Sequence, residues 1–263
     1  MTFNLAKTKF SEGKYVLNGW LSIPNSFTAE AMSKIGWDSL TIDMQHGQSD
    51  YSSSIAMLQA IQNNNISSLA RVPWNEPGII MKMLDLGVMG IIAPMINNKK
   101  QCEEFVSYCY YPPLGQRSFG PMRAQLVYGS NYFEEANNNI ISLAMIETKE
   151  GVENLDGILS VPGLTGVYIG PADMCSSYGL KPQFDPRDKQ IYSNIELIAK
   201  KAKENNKIAG IHTGSIHYAK EMINLGFQFV TILSEFRFMT AYAENIIKEM
   251  KDETKGSSSS STY

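Results

Sequence analysis

Gly90-Ile91-Ile92-Ala93 and Phe229-Val230-Thr231-Ile232-Leu233 are uncharged, almost continuously apolar runs set between stretches with helical patterning. A strand with one wet face alternates apolar and polar residues. Runs like these belong to strands buried on both faces, as in a parallel sheet covered by helices. Outward from them the same texture recurs at Tyr15–Ile23, Ser39–Met44, Ser67–Val72, Gly90–Pro94, Ile141–Glu147, Gly166–Gly170, Lys207–His212 and Phe227–Leu233, which makes eight strands. Amphipathic segments lie between. Ile79–Leu86 places Ile80, Met83 and Leu84 at helical spacing and stops at Gly87, and Ile216–Leu225 stops at Gly226. Asp185–Asn206 carries Ile195 and Ile198 on one face and its lysines late, where the helix dipole favours them.

Eight β/α alternations in 263 residues predict an α/β chain closed into a (β/α)8 TIM barrel, a single domain over 1–255 with an extended C-terminal helix, Ser234–Lys255. A doubly wound open sheet is the rival fold, but no G-x-G-x-x-G turn follows an early strand. Two stretches break the rhythm. Tyr110–Asn139 is rich in Pro, Gly, Arg and Asn and too long for a structureless connector unless it is functional. The Ser run at 256–263 is expected to be a disordered tail.

With 43% hydrophobic residues the chain can fill one core, and a net charge of −3 offers no basic surface for nucleic acid. No apolar run of about 18 residues predicts a membrane span, and Met1–Lys7 has no apolar stretch suited to a secretory signal. Cys102, Cys109 and Cys175 have no metal-ligand spacing and read as reduced thiols, which places the protein in the cytoplasm. Cys102 and Cys109 fit one helix face.

In such a barrel the active site forms at the C-terminal strand ends. The second strand ends in Asp43-Met44-Gln45-His46-Gly47, the third in Arg71-Val72-Pro73, the fifth in Met145-Ile146-Glu147-Thr148 and the sixth in Gly170-Pro171-Ala172-Asp173. Ionisable groups beside apolar strands are costly without a compensating ion or ligand. Glu147 and Asp173 are the candidate metal pair, suited to a hard divalent cation such as Mg2+ or Mn2+, with water and substrate oxygens filling the shell. The alternative is that each caps the helix that follows. His46 is the candidate acid–base, its tautomer fixed by Asp43, set against an ordinary surface or packed role. Arg71 offers a planar fork for a carboxylate or enolate oxygen, or else a rim salt bridge. The amides of Gly170-Pro171-Ala172 face an anion, with Ala172 and Asp173 as donors because Pro171 has no N–H. His212 ends the seventh strand and is placed at the mouth. His217, on a helical face, is read as structural.

Together, Ile42-Asp43-Met44-Gln45-His46, Arg71-Val72-Pro73, Leu84-Asp85-Leu86-Gly87, Tyr111-Pro112-Pro113-Leu114-Gly115-Gln116-Arg117-Ser118-Phe119-Gly120, Ile146-Glu147-Thr148, Asn154-Leu155-Asp156 and Gly170-Pro171-Ala172-Asp173-Met174 resemble the HpcH/HpaI aldolase family, the metal-dependent class II pyruvate aldolases. The likeness runs from Asn18-Gly19-Trp20 to about Met239. It implies that Glu147 and Asp173 hold the divalent metal. It further implies that Arg71 binds the pyruvyl oxygens and steadies the enolate, and that His46, held by Asp43, works with a metal-bound water. Trp20 matches a position near the pocket, and Arg117–Arg123 matches a long loop near the barrel mouth. The reaction implied is cleavage of a 4-hydroxy-2-oxo acid to pyruvate and an aldehyde, or the reverse. The assembly implied is a homo-oligomer, a hexamer or trimer of dimers, that exchanges C-terminal helices. Gln45 and Met145 depart from the acidic residue and the glutamine of many members, which changes polarity beside the site. Within the superfamily a CoA-ester lyase is the alternative, and outside it a non-catalytic barrel that binds an oxo acid. A Schiff-base mechanism lacks an activated lysine, since neither Lys82 nor Lys149 has an activating neighbour.

Overall fold

The computed structural model describes residues 4–62 and 65–257. Eight parallel strands close into a barrel in chain order: β1 Val16–Leu21, β2 Ser39–Asp43, β3 Ser67–Arg71, β4 Gly90–Ala93, β5 Ile141–Ile146, β6 Gly166–Ile169, β7 Ile208–Thr213 and β8 Phe229–Ile232. Every expected strand is present, each trimmed or shifted by at most two residues at an end. Closure is made by β1 against β8, with Val16 beside Phe229 and Asn18 beside Thr231.

Period-2 alternation divides each strand between two cores. Leu40, Ile42, Ala70, Ile91, Ala144, Val167, Ile169, Ile211 and Val230 point outward into one hydrophobic cluster shared with the helices. Val16, Trp20, Leu69, Ile92, Leu143, Met145, Tyr168 and Phe229 form a second cluster, the barrel interior. The interior also holds a polar layer. Asn18 Nδ2 donates to Thr231 Oγ1 (2.9 Å), Ser39 and Thr41 hydroxyls donate to Asn18 Oδ1 (2.8 and 3.0 Å), and Tyr168 Oη donates to Thr231 Oγ1 (2.8 Å). These mutual bonds are what allow polar side chains to be fully buried there.

The helices wrap the outside. They are α1 Leu5–Ser11, α2 Ser26–Ser33, α3 Tyr51–Ile61, α4 Pro77–Asp85, α5 Lys99–Cys109, α6 Met122–Tyr128 and α7 Tyr132–Asn139. Then follow α8 Lys149–Glu153, α9 Leu155–Leu159, α10 Pro171–Ser177, α11 Lys189–Glu204, α12 Ile216–Asn224 and α13 Glu235–Ser257. Gly87 and Gly226, just past α4 and α12, adopt φ of +96° and +103°, the left-handed conformation that ends a helix. Cys102 and Cys109 are both buried on α5. The expected tail lies outside the described residues except for Gly256 and Ser257, which end α13. No helix among the described residues is long and apolar enough to cross a membrane.

The segment 110–139, too long for a structureless connector, carries α6 and α7. One expectation is corrected: Arg117–Arg123 does not lie near this chain's barrel mouth. The segment joins α5 to β5, and so runs at the end where strands begin. There Arg117 Nη2 binds Asp85 Oδ1 at 2.8 Å, Arg123 donates to the Leu86 carbonyl, and Tyr128 Oη donates to the Gly87 carbonyl at 2.8 Å. α1 plugs the same floor: Asn4 Nδ2 donates to the Met89 and Asn139 carbonyls (3.0 and 2.8 Å).

Candidate active site

At the opposite rim, inward alternation brings Trp20, Asp43, Arg71, Met145, Tyr168, Gly170, His212 and Leu233 to one cavity of about 370 Å³. His46, Ala172 and Asp173 line it from the loops.

Asp43 is the organising group. Its Oδ1 accepts from Arg71 Nε (2.9 Å) and from the backbone N–H of Gln45 and His46 (3.1 and 3.3 Å). Its Oδ2 accepts from Arg71 Nη2 (2.7 Å), Trp20 Nε1 (3.1 Å) and the N–H of Gly47 (3.0 Å). Burial alone would push the carboxyl up. The Arg71 fork and charge, with the Trp20 and Gln45 bonds, outweigh burial and hold Asp43 below the usual carboxylate range. The expected tie from Asp43 to the His46 ring is therefore replaced. All the acceptor capacity of Asp43 goes to Arg71, Trp20 and three backbone amides, and it fixes His46 through the main chain. His46 is exposed at the cavity rim. Arg71 lies over the Trp20 ring, 4.9 Å from its centroid. Its Nη1 makes no hydrogen bond among the described residues, so one edge of the fork faces the cavity.

Glu147, one residue past β5, is only 2% exposed. Its Oε1 accepts from the Met95 N–H at 2.8 Å, and Met95 takes a left-handed φ of +57° in the loop that presents this amide. Its Oε2 lies against Gly170, where an added methyl would sit only 2.4 Å away. Burial, opposed by the Met95 bond and reinforced by the charge of Asp173, pushes Glu147 up to about 7. Asp173 stands in the first turn of α10, where Gly170 gives no side-chain cap and Pro171 opens the helix. Asp173, exposed, lines the cavity, while Glu147 is buried against Gly170 of the lining, within reach of the charges of both Asp173 and Arg71. No set of three His, Cys, Asp or Glu side chains able to hold a metal occurs among the described residues.

Among the wall residues, Tyr168, Ser22, Phe184, Ser234, Phe236 and Arg237 were not singled out from sequence. Trp20 stacks on Tyr168 (6.0 Å between centroids, 12° between planes) and meets His212 edge-on (5.0 Å, 84°). His212 Nδ1 lies 3.3 Å from Tyr168 Oη, and its ring is tilted against Phe184. Burial first, then the charge of Arg71, pushes His212 down to about 3. Thus His212 does reach the mouth, whereas His217 is exposed on α12, away from it. Lys82 lies over the Tyr51 ring and Lys149 pairs with Glu153, and neither lines the cavity. Tyr168 was legible in principle, since it shares the inward alternation of Gly170. Ser22, Phe184, Ser234, Phe236 and Arg237 come from loops and the start of α13, where no periodicity points to the cavity.

The model of the HpcH/HpaI aldolase/citrate lyase family matches residues 17–237. A hydroxypyruvate/pyruvate aldolase of Rhizorhabdus wittichii is 38% identical over 248 residues, covering 94% of this chain and 99% of the relative. A 4-hydroxy-2-oxo-heptane-1,7-dioate aldolase of Escherichia coli is 31% identical over 244 residues, 92% of each chain. Among solved structures, an aldolase/citrate lyase family protein from Burkholderia cenocepacia has a TM-score of 0.87 at 24% identity, over 94% of this chain and 99% of that one, a likeness of fold.

Proposed function

This chain belongs to the HpcH/HpaI aldolase/citrate lyase family, and from that membership we propose that it cleaves a 4-hydroxy-2-oxo acid to pyruvate and an aldehyde, and runs the reverse addition. It is an aldolase, a carbon–carbon lyase, like the relatives named above. The observation that supports the detailed reading is the approach of buried Glu147 to exposed Asp173 beside a cavity lined by an arginine fork already fixed on its other edge.

Glu147 and Asp173 fit a hard divalent cation, Mg2+ or Mn2+. Oxygen is their only donor type, Glu147 is buried with no ion pair among the described residues, and two ligands leave room for water and substrate oxygens. When bound there, the cation supplies Lewis acidity and neutralises the two carboxylates. Arg71 offers its free Nη1 edge to the substrate's oxo and carboxylate oxygens, and the Asp43 bonds hold that edge in place before substrate arrives. Trp20 packs beneath the guanidinium and keeps water from it. His46 takes the proton of the C4 hydroxyl. The C3–C4 bond breaks, the aldehyde leaves, and the electron pair moves to C3 and the C2 oxygen. A proton returned to C3 gives pyruvate. The N–H groups of Ala172 and Asp173, at the start of α10, suit the pyruvyl carboxylate.

The reading extends to assembly and location, a cytoplasmic homo-oligomer. The assembly is supported by the large apolar side chains exposed along α13, including Tyr242 (71%), Met239 (56%) and Ile247 (55%), and the location by the three free cysteines.

The test is exchange of the pyruvate methyl protons in deuterated water, run beside retro-aldol cleavage, after EDTA treatment and after adding Mn2+ or Mg2+. Both activities should vanish on chelation and return with the ion. Full activity after thorough chelation would refute the metal role, and an absence of exchange under all conditions would refute the aldolase reading.

A further inference from the structure

A separate cavity, of about 490 Å³, lies at the floor, between α1 and the segments that lead into β6 and β7. Lys7 of α1 and Lys207, one residue before β7, both line it. Phe10, Leu114, Leu164 and Ile208 give it apolar walls. No acidic residue lines it among the described residues.

One network of neutral groups holds the two ammonium groups. Lys7 Nζ donates to the Ile140 carbonyl at 3.1 Å, and Tyr110 Oη lies 3.4 Å from the same oxygen. Tyr110 Oη also meets Ser142 Oγ (3.0 Å) and Thr165 Oγ1 (3.4 Å). Lys207 Nζ donates to the carbonyl of Leu164, the residue before Thr165, at 2.6 Å, and lies 3.5 Å from the Val161 carbonyl. Each ammonium has three protons, so at least one donor remains on each. Carbonyls orient a lysine but leave its charge in place. Neither Lys7 nor Lys207 has an ion pair among the described residues, whereas Lys9 pairs with Asp38 and Lys201 with Asp156. Both are half-buried, and burial pushes both ammonium groups down. Two cations thus share one partly desolvated cavity without an anion to offset them, an arrangement that costs energy until one arrives.

We propose that Lys7 and Lys207 form a binding site for a small dianion at the barrel floor, distinct from the cavity at the mouth. A dicarboxylate and a phosphate share this chemistry, two anionic oxygens offered to two point charges. The bound dianion bridges α1, which plugs the floor, to the start of β7, and so fastens the plug to the barrel.

The test is calorimetric titration of the whole protein with succinate and, separately, with inorganic phosphate. Acetate at matched ionic strength is the single-charge control, and pyruvate with Mg2+ is present throughout to fill the mouth. At least one dianion should bind at one saturable site per chain, roughly tenfold or more tighter than acetate, and weaken as salt rises. The probe that binds tighter identifies carboxylate or phosphate. The same dianion should raise the melting temperature. It should also shield Lys7 and Lys207 from acetic anhydride, while Lys100, on α5, stays reactive. Lys207→Arg should keep the site, and Lys7→Gln or Lys207→Gln should weaken it roughly tenfold. No saturable binding of either dianion, or an affinity unchanged when both lysines become glutamine, would overturn the inference. So would a bound dianion that leaves Lys7 and Lys207 of the wild-type protein as reactive as before, a result that needs no variant to fold.

Discussion

Arg71 and Arg117 each lie against an aspartate inside the protein, but at opposite ends of the barrel and to opposite effect. At the mouth, Asp43 takes Nε and Nη2 of Arg71, and the remaining edge opens on a cavity. At the floor, Arg117 is sealed. Its side chain is 0% exposed, one Nη2 bond reaches Asp85, and Tyr111 and Tyr132 cover it at 4.4 and 5.6 Å. Its Nε and the nearby Tyr111 hydroxyl have no hydrogen-bond partner among the described residues. The same pair of residue types therefore does two jobs. A fork held on one edge and free on the other can meet a ligand; a fork walled in by rings fixes a loop.

The largest effect should come from loosening the mouth pair. Arg71→Lys keeps the charge but loses the two-bond geometry, and should lower kcat/KM for retro-aldol cleavage by about 10²–10³-fold. Its melting temperature should stay close to wild type. Near-normal turnover would erase the contrast between the two arginines.

The floor pair should answer in stability. Arg117→Met should cost about 3 kcal/mol in urea unfolding, at the low end for a broken buried pair because Asp85 is 30% exposed and can be rehydrated. Turnover per folded molecule should not change. A tenfold loss of activity without a loss of stability would assign the floor a catalytic share.

Gly170→Ala sharpens the mouth side. The new methyl must displace Glu147 Oε2, while the Met95 amide holds the other oxygen. Metal affinity or activity should fall about 10–100-fold, the usual cost of disturbing the support of a ligand. Titration with Mn2+ would read it, and unaltered affinity would argue against Glu147 as ligand.

The smallest effect concerns pH. His212 has a folded-state pKa near 3, below its ordinary value near 6.5, so the unfolded chain binds the proton more readily. Its contribution to stability is complete above pH about 6.5 and is lost as pH falls toward 3. Between pH 7 and 5 this amounts to at most about 2 kcal/mol. His212→Phe should flatten that slope while leaving the Arg117→Met deficit unchanged with pH. A slope unaffected by the substitution would place the titration elsewhere.

The contrast also shows what the sequence could tell. Eight apolar runs with helices between them were enough for the barrel, because burial on both faces leaves a signature in each strand. Asp43, Arg71, Glu147 and Asp173 could be placed at one rim, since each falls at the C-terminal end of a strand or just beyond it. Arg117 was assigned to the mouth because a motif reports that residues occur together and not which end of a strand they flank. Arg237 and Phe184 gave no sign, since their approach to the cavity is decided by how α13 and the loop before α11 fold back. The use made of Asp43 was also hidden. Spacing pairs Asp43 with His46, but register places it directly beside Arg71 across β2 and β3.

The buried polar layer reaches one step further than packing. Because Tyr168 gives its hydroxyl proton to Thr231, its oxygen is left to receive one, so Nδ1 of His212 must be the protonated nitrogen. Nε2 is then a bare lone pair. Beside Arg71, His212 can welcome a hydroxyl from an incoming sugar-like chain yet has no proton to lend it, and residues as deep as Asn18 share the network that sets that disposition.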